Sequence, residues 1–270
     1  MAIADNPERP EDDVEMGFFQ HLAELRYRLV RAVWGLVPGV AIGAIFHEEL
    51  LGWLLHPFNV AWESLHRQGV PLPYPRPKVI MLTPQEGFVV YVKIAFVLAL
   101  LIGGPWIFYQ LWQFIAPGLY RREKRMAIPF AASTSVFFIC GVAFGYFVVF
   151  PLIFEYFLGF QQQLPGGVDL AAEYSLNDLV SLELKLLLGF GIVFLLPVFV
   201  WFLAAAGIVD WKQLLKFSRW WLLIAAVLSA LLTPPDPVSQ LMMLGPLIIL
   251  YFVSILFAMM FGQKKPKAPA

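Results

Sequence analysis

Residues 87–112 carry a single charge, Lys93, in 26 positions. Wound as a helix at 1.5 Å per residue, this stretch is ~39 Å long and outspans a hydrocarbon core of ~30 Å. Residues 127–150, 179–206 and 238–261 have the same character, and two shorter runs, 30–46 and 217–232, approach the minimum for a crossing. In lipid every backbone N–H and C=O needs a protein partner, and uninterrupted apolar runs, unlike the alternating strands of a barrel, meet that need as helices. With 60% hydrophobic and 14% charged residues, against about 25% charged in soluble domains, the chain reads as an all-α integral membrane protein of six transmembrane helices.

The first sixteen residues hold six acids, Asp5, Glu8, Glu11, Asp12, Asp13 and Glu15, with Pro7 and Pro10 and no basic segment leading into a short apolar core. They read as a flexible acidic tail and not as a signal peptide. Residues 17–261 then form the membrane domain, and 262–270 a basic tail. Within the domain polarity returns at 47–85: an amphipathic stretch around 50–65 containing Pro57, then Pro71, Pro73, Pro75 and Pro77 at alternate positions. Alternating prolines favour extended backbone, so this segment is expected to be a cap or a stiff loop. A bend is expected in the first span at Pro38. The fifth and sixth spans are joined by Thr233, Pro234, Pro235, Asp236 and Pro237, a tight hairpin.

The basic residues decide orientation. Fourteen of the nineteen lie on the side of the N-terminus: Arg9, Arg26, Arg28, Arg31, Arg121, Arg122, Lys124, Arg125, Lys212, Lys216, Arg219, Lys264, Lys265 and Lys267. Three, Arg67, Arg76 and Lys78, lie opposite, and Lys93 and Lys185 lie inside spans. Both termini are therefore expected in the cytoplasm. Just before the first span, Phe18, Leu22, Leu25 and Leu29 recur at steps of four, three and four, which predicts an amphipathic helix along the membrane surface. Glu24, Arg26 and Arg28 fall off that stripe. Glu24 and Arg28, four apart, can also simply pair with each other as a solvated couple.

Enzyme motifs are missing. There is no Gly-x-x-x-x-Gly-Lys-Ser/Thr loop, Gly189-Phe190-Gly191 does not complete a dinucleotide fingerprint, and His47-Glu48-Glu49 lacks the second histidine of a zinc helix. His47, His56 and His66 are spaced at nine and ten residues, which gives no metal geometry, and the lone Cys140 reads as a small core residue. No cofactor, metal or nucleic acid is expected. What remains is a set of polar residues in or near the spans, Lys93, Glu183, Lys185, Thr233, Asp236 and Gln240, each costly enough there to need a reason. Lys185 does not share a helical face with Glu183, so Lys93 on the neighbouring span is the expected partner of that acid. Lys93 precedes Pro105 by twelve residues and Lys185 precedes Pro197 by twelve, an echo of the kind that parallel repeats show.

Four runs, in order, carry a resemblance: His21-Leu-Ala-Glu24-Leu-Arg26-Tyr-Arg28; Phe108-Tyr-Gln-Leu-Trp112-Gln-Phe114-Ile-Ala-Pro117-Gly-Leu-Tyr120-Arg121-Arg-Glu123; Gly145-Tyr-Phe-Val-Val-Phe-Pro151; and Leu232-Thr233-Pro-Pro-Asp236. The chain resembles TatC, the multi-spanning receptor of the twin-arginine protein translocase in the bacterial or related plasma membrane. The resemblance implies a six-span receptor, not an enzyme, that binds the twin-arginine signal peptides of folded cargo at the cytoplasmic face through Glu24 and Glu123, with Arg26, Phe114 and Arg121 in the same site. It implies single-span partners, TatB and TatA, near Thr233 and Gln240, several copies in the working complex, and transport driven by the proton gradient. Pro57, Lys93, Pro105, Glu183 and Asp236 are expected to serve structure or coupling. Leu195 and Leu196 stand where family members often carry an acid before the proline matching Pro197. From a different class, the lysines and Glu183 in one leaflet would suit a small-molecule or ion transporter.

Overall fold

The computed structural model describes residues 18–70, 77–115, 127–164, 168–170 and 173–261. Glycines set its first contact. α1 (Phe18–Trp34) and α2 (Val37–Ile45) run antiparallel to the 30-residue α5 (Glu86–Ile115). A Cβ on Gly39 would stand 2.4 Å from the Ala99 Cα, and one on Gly43 2.5 Å from the Ala95 Cα. Only glycine allows the backbones this close, as in small-residue packing between membrane helices generally. The expected bend falls at Gly35 and Leu36, just ahead of Pro38, which occupies the first turn of α2 where a missing N–H is harmless. The first span is correspondingly longer than residues 30–46: an apolar helical path runs over Phe19–Ile45.

α3 (His47–Leu54) and α4 (His56–Arg67) follow as a cap, with Pro57 buried in the first turn of α4. α4 packs on α7 (Phe150–Leu158), where Phe58 meets Phe154 edge to face at 5.5 Å. The third span consists of α6 (Ala127–Phe144), a π-turn at Gly145–Val149 and α7. Pro151 has no N–H to continue an α ladder, and the Phe150 N–H reaches back five residues to the Gly145 carbonyl instead. β1 (Val79–Ile80) pairs in parallel with β4 (Tyr174–Ser175), and β2 (Gln162–Leu164) forms a hairpin with β3 (Val168–Leu170). These short strands close the cap side.

The fourth span is α8 (Leu176–Val193) and, after a break, α9 (Leu196–Ala205); α10 (Trp211–Leu232) and α11 (Pro237–Phe261) form the last hairpin. Pro105 sits inside an unbroken α5, whereas Pro197 opens α9 after a break, so the twelve-residue echo does not make spans two and four copies of one shape. Among the described residues six helical paths are long and apolar enough to cross a membrane. The main core lies under the cap, around Tyr146, Phe150, Phe154, Leu187 and Phe190. A second, at the opposite end, joins Trp112, Phe130 and Val198, with the Trp112 indole donating to Thr134 Oγ1 at 2.8 Å. Cys140, expected in the core, is exposed on α6, where lipid serves a small apolar side chain as well as protein does.

Candidate functional site

The polar side of α1 faces protein and its leucine stripe does not. Leu22, Leu25 and Leu29 are 45%, 41% and 62% exposed, while Glu24 and Arg28 are largely covered. This inverts the solvent logic of a soluble helix, because beside a membrane the apolar stripe finds its medium in lipid and the polar side needs protein. The His21 ring stacks on Phe114 near the end of α5, with centroids 4.5 Å apart. The Trp106 indole donates to the Arg31 carbonyl at 2.8 Å, and the Arg31 guanidinium lies 4.2 Å over the Tyr27 ring. α1 is thus moored along its length.

Glu24 and Arg28 form the i,i+4 couple. Arg28 Nη2 and Nε both donate to the same oxygen, Glu24 Oε1, at 2.9 and 3.2 Å. Glu24 Oε2 is buried and has no hydrogen-bond partner among the described residues. Arg26, two residues on, is exposed. Glu123 and Arg121 lie outside the described residues.

Lys93 does not pair with Glu183. Its ammonium donates to Asn177 Oδ1 at 2.6 Å and Ser181 Oγ at 2.8 Å, one turn apart on α8. Glu183 is two residues beyond Ser181 and hence about 200° round the helix, on a different face. There it is fully buried, and neither oxygen has a hydrogen-bond partner among the described residues. The error came from matching depth along the spans without matching the faces they present. Neutral oxygens nearer the cap satisfied the lysine first.

At the last hairpin Thr233 Oγ1 donates to the Ser229 carbonyl at 2.8 Å, and Gln240 Nε2 to the Ala226 carbonyl at 3.2 Å. The Ser229 carbonyl also accepts the Thr233 backbone N–H at 3.0 Å and the Ala226 carbonyl also accepts Ser229 Oγ at 2.9 Å, so Thr233 adds a second bond within the end of α10 and Gln240 ties α11 to it. Asp236 caps α11, its Oδ2 accepting the Ser239 N–H at 2.7 Å. Two carboxylates of the cap escaped the sequence reading. Glu86, in the first turn of α5, accepts the Leu82 N–H at 2.8 Å and the Ser175 hydroxyl at 3.2 Å. Glu155 accepts Ser64 Oγ at 2.8 Å and Gln68 Nε2 at 2.7 Å, tying α7 to α4. Glu155 had a signal: it is the lone acid in an apolar run. The Tyr146 hydroxyl donates to the Trp53 carbonyl at 2.6 Å and its ring stacks on Trp53, a pairing no local pattern announces. Tyr174, in the cap, has its hydroxyl pushed above the ordinary value by burial, partly opposed by the Gln161 hydrogen bond. Among the described residues no three His, Cys, Asp or Glu side chains converge to hold a metal.

The family model for the Sec-independent protein translocase protein TatC matches residues 20–246. The chain belongs to the TatC family. Sec-independent protein translocase proteins TatC from Desulforapulum autotrophicum and Helicobacter pylori (strain ATCC 700392 / 26695) are 38% and 40% identical to it, over 92% and 89% of this chain and 86% of each relative. A crystal structure of the twin arginine translocase receptor TatC superposes with a TM-score of 0.75 at 33% identity, covering 89% of this chain and 99% of the other. As a member of this family the chain is a multi-pass protein of the bacterial inner membrane and a translocase component, not an enzyme. Residues 20–246 contain Glu24, Phe114, Glu123, Thr233 and Gln240 together.

Proposed function

We propose that this protein is the signal-peptide receptor of the twin-arginine translocase, with both termini in the cytoplasm and Glu24 and Glu123 as the carboxylates that hold the two arginines of a cargo signal. The observation that carries the reading is the half-used carboxylate of Glu24. Arg28 fixes one oxygen, and the other, Oε2, is covered and unpartnered. A buried acceptor left open costs free energy, which an incoming guanidinium would recover. Arginine suits the task better than lysine because its planar fork presents paired donors. Phe114, stacked on His21 one turn before Glu24, gives an aromatic wall on that side of α1, while Arg26 is exposed about 200° round the helix from Glu24. In sequence Glu123 follows Ile115, the last residue of α5, by eight residues and precedes Ala127 by four. Arg121 belongs to the same segment.

TatB and TatA, in this reading, dock along α10 and α11 in a complex of several copies, and the proton gradient supplies the energy. In support, Trp220, Val227, Leu231 and Leu241 are 59%, 60%, 78% and 64% exposed on those helices, beside Thr233 and Gln240.

The test is binding of a twin-arginine signal peptide and its twin-lysine version to the full-length protein in membranes, for wild type, Glu24→Gln and Glu123→Gln. Wild type prefers arginine, and each variant weakens the arginine peptide by ~10–100-fold, or 1.4–2.8 kcal/mol. Variants that bind the arginine peptide as wild type does would refute the clasp.

A further inference from the structure

On α8 the face next to α5 carries Asn177, Ser181 and Lys185 at successive i,i+4 positions. Lys93 reaches across from α5 to the first two, and the Ser181 hydroxyl in turn donates to the Asn177 carbonyl. Two of the three ammonium donors of Lys93 are thus engaged. Lys185, one turn beyond Ser181, is exposed and makes no hydrogen bond or ion pair among the described residues. Two cations therefore sit side by side on one face inside the membrane domain.

No described carboxylate answers them. Glu183 is on the opposite side of α8, Glu86 is engaged by Leu82 and Ser175, and Glu173 lies beside Lys78 at 3.8 Å. Asp178 comes nearest: it takes a hydrogen bond from Asn177, which accepts from Lys93, but it stands seven residues, ~10.5 Å along the axis, from Lys185. With no ion pair to either lysine among the described residues, Lys185 above all calls for an anion.

Depth and surroundings name the anion. Lys93 is seven residues from the cap-side start of α5 and Lys185 nine from that of α8, ~10 and ~14 Å, so stems reaching toward the cap bring both ammoniums to headgroup level. Toward the midplane the same faces turn apolar and open: Phe96 is 55% and Ile192 63% exposed, with Leu188 between. An anion above and an apolar furrow below fit one amphiphile.

We infer that the groove between α5 and α8 binds an anionic phospholipid of the cap-side leaflet, its phosphodiester held by Lys93 and Lys185 and its acyl chain lying along Phe96, Leu188 and Ile192. This inference is independent of the receptor reading, since lipid retention is measured without cargo. The full-length protein is released from nanodiscs containing equal amounts of phosphatidylglycerol and phosphatidylcholine with identical chains, and retained lipid is counted by native mass spectrometry. Wild type keeps phosphatidylglycerol preferentially. Lys185→Gln lowers that retention about fivefold, Lys185→Arg keeps it, and Lys185→Glu abolishes the preference, with circular dichroism and melting temperature unchanged at this exposed position. Excess inorganic phosphate does not displace the lipid, because it cannot use the furrow. Equal retention in wild type, Lys185→Gln and Lys185→Glu overturns the inference, and so does displacement by phosphate.

Discussion

The first and fifth spans bury the same small share of their apolar windows, 11% each, yet they are held in different ways. In the first, the buried positions of α2 are Gly39 and Gly43, seated on the backbone of α5. In the fifth, α10 buries Ala225 and Ser229, while Leu222, Leu223, Val227 and Leu231 stand exposed. It is held to α11 by side chains: Trp221 stacks on Tyr251 at 5.0 Å, and the Tyr251 hydroxyl donates to the Leu214 carbonyl at 2.7 Å. Share of surface buried, then, does not say how firmly a membrane helix is fixed. Closeness of backbones does, because dispersion falls off steeply with each half ångström of gap.

Substitutions can break this comparison. Gly39→Leu should have the largest effect, at least ~3 kcal/mol or loss of the protein from membranes, since neither backbone can yield to a side chain placed at 2.4 Å. Accumulation and detergent melting temperature report it. Ala225→Leu, at a fully buried site of α10, should cost less, ~1–3 kcal/mol, because side-chain contacts repack more readily than touching backbones. Equal losses from the two would show that α10 is packed as tightly as α2.

Polar contacts sharpen the same contrast, since they are formed by faces and not by depth. A double-mutant cycle of Lys93→Met with Ser181→Ala should give a coupling of ~0.5–2 kcal/mol, and Lys93→Met with Glu183→Gln one near zero. Coupling in the second cycle would restore the buried ion pair. In the cap, away from both spans, Tyr174 provides a pH control. Burial raises its folded pKa, so the folded state holds the proton more tightly, and the resulting stability is present at neutral pH and lost as pH climbs past the ordinary tyrosine value of 10 and through the raised folded one. Tyr174→Phe should flatten that alkaline decline in melting temperature, and an unchanged slope would point to another group. The smallest effect is expected on the open side of the last hairpin: Leu231→Ala and Gly245→Ala should change stability by less than ~0.5 kcal/mol. A larger change in the isolated protein would mean that this side is already covered by its own chain.

Much of the architecture was legible because the bilayer imposes a length. All six spans, the hairpin at 233–237 and the cap between the first two spans follow from runs of apolar residues and from proline placement. Asp236 behaves as a helix-capping residue should, and Pro57 sits where a proline is harmless. Facing was not legible. Hydrophobic periodicity names two sides of α1 without saying which meets protein, and in lipid the answer is the reverse of the soluble case, as Leu29 and Glu24 show. The partner of Lys93 depended on a rotation of α8 that sequence spacing leaves free, and two neutral side chains outcompeted a carboxylate. The π-turn at Gly145–Val149 was hidden too, although Pro151 was its cause. At the candidate site the sequence pointed to Glu24 itself, but not to Arg28 taking up just one of its oxygens.

The glycine contact between α2 and α5 has a consequence for how the chain is made. Gly39 and Gly43 find their seats only once Ala99 and Ala95 exist, so the first span leaves the ribosome without the surface that receives it. Seventy residues separate Ile45 from the end of α5 at Ile115, and at ~5–20 residues per second the wait is ~4–14 s. During that interval the glycine stripe, Glu24 and Arg28 face lipid or the insertion machinery with nothing of their own chain to cover them. The fifth span waits a shorter time, the 29 residues from Leu232 to Phe261, or ~1.5–6 s. Biogenesis thus proceeds by hairpins, and the first of them is the one that most needs an escort.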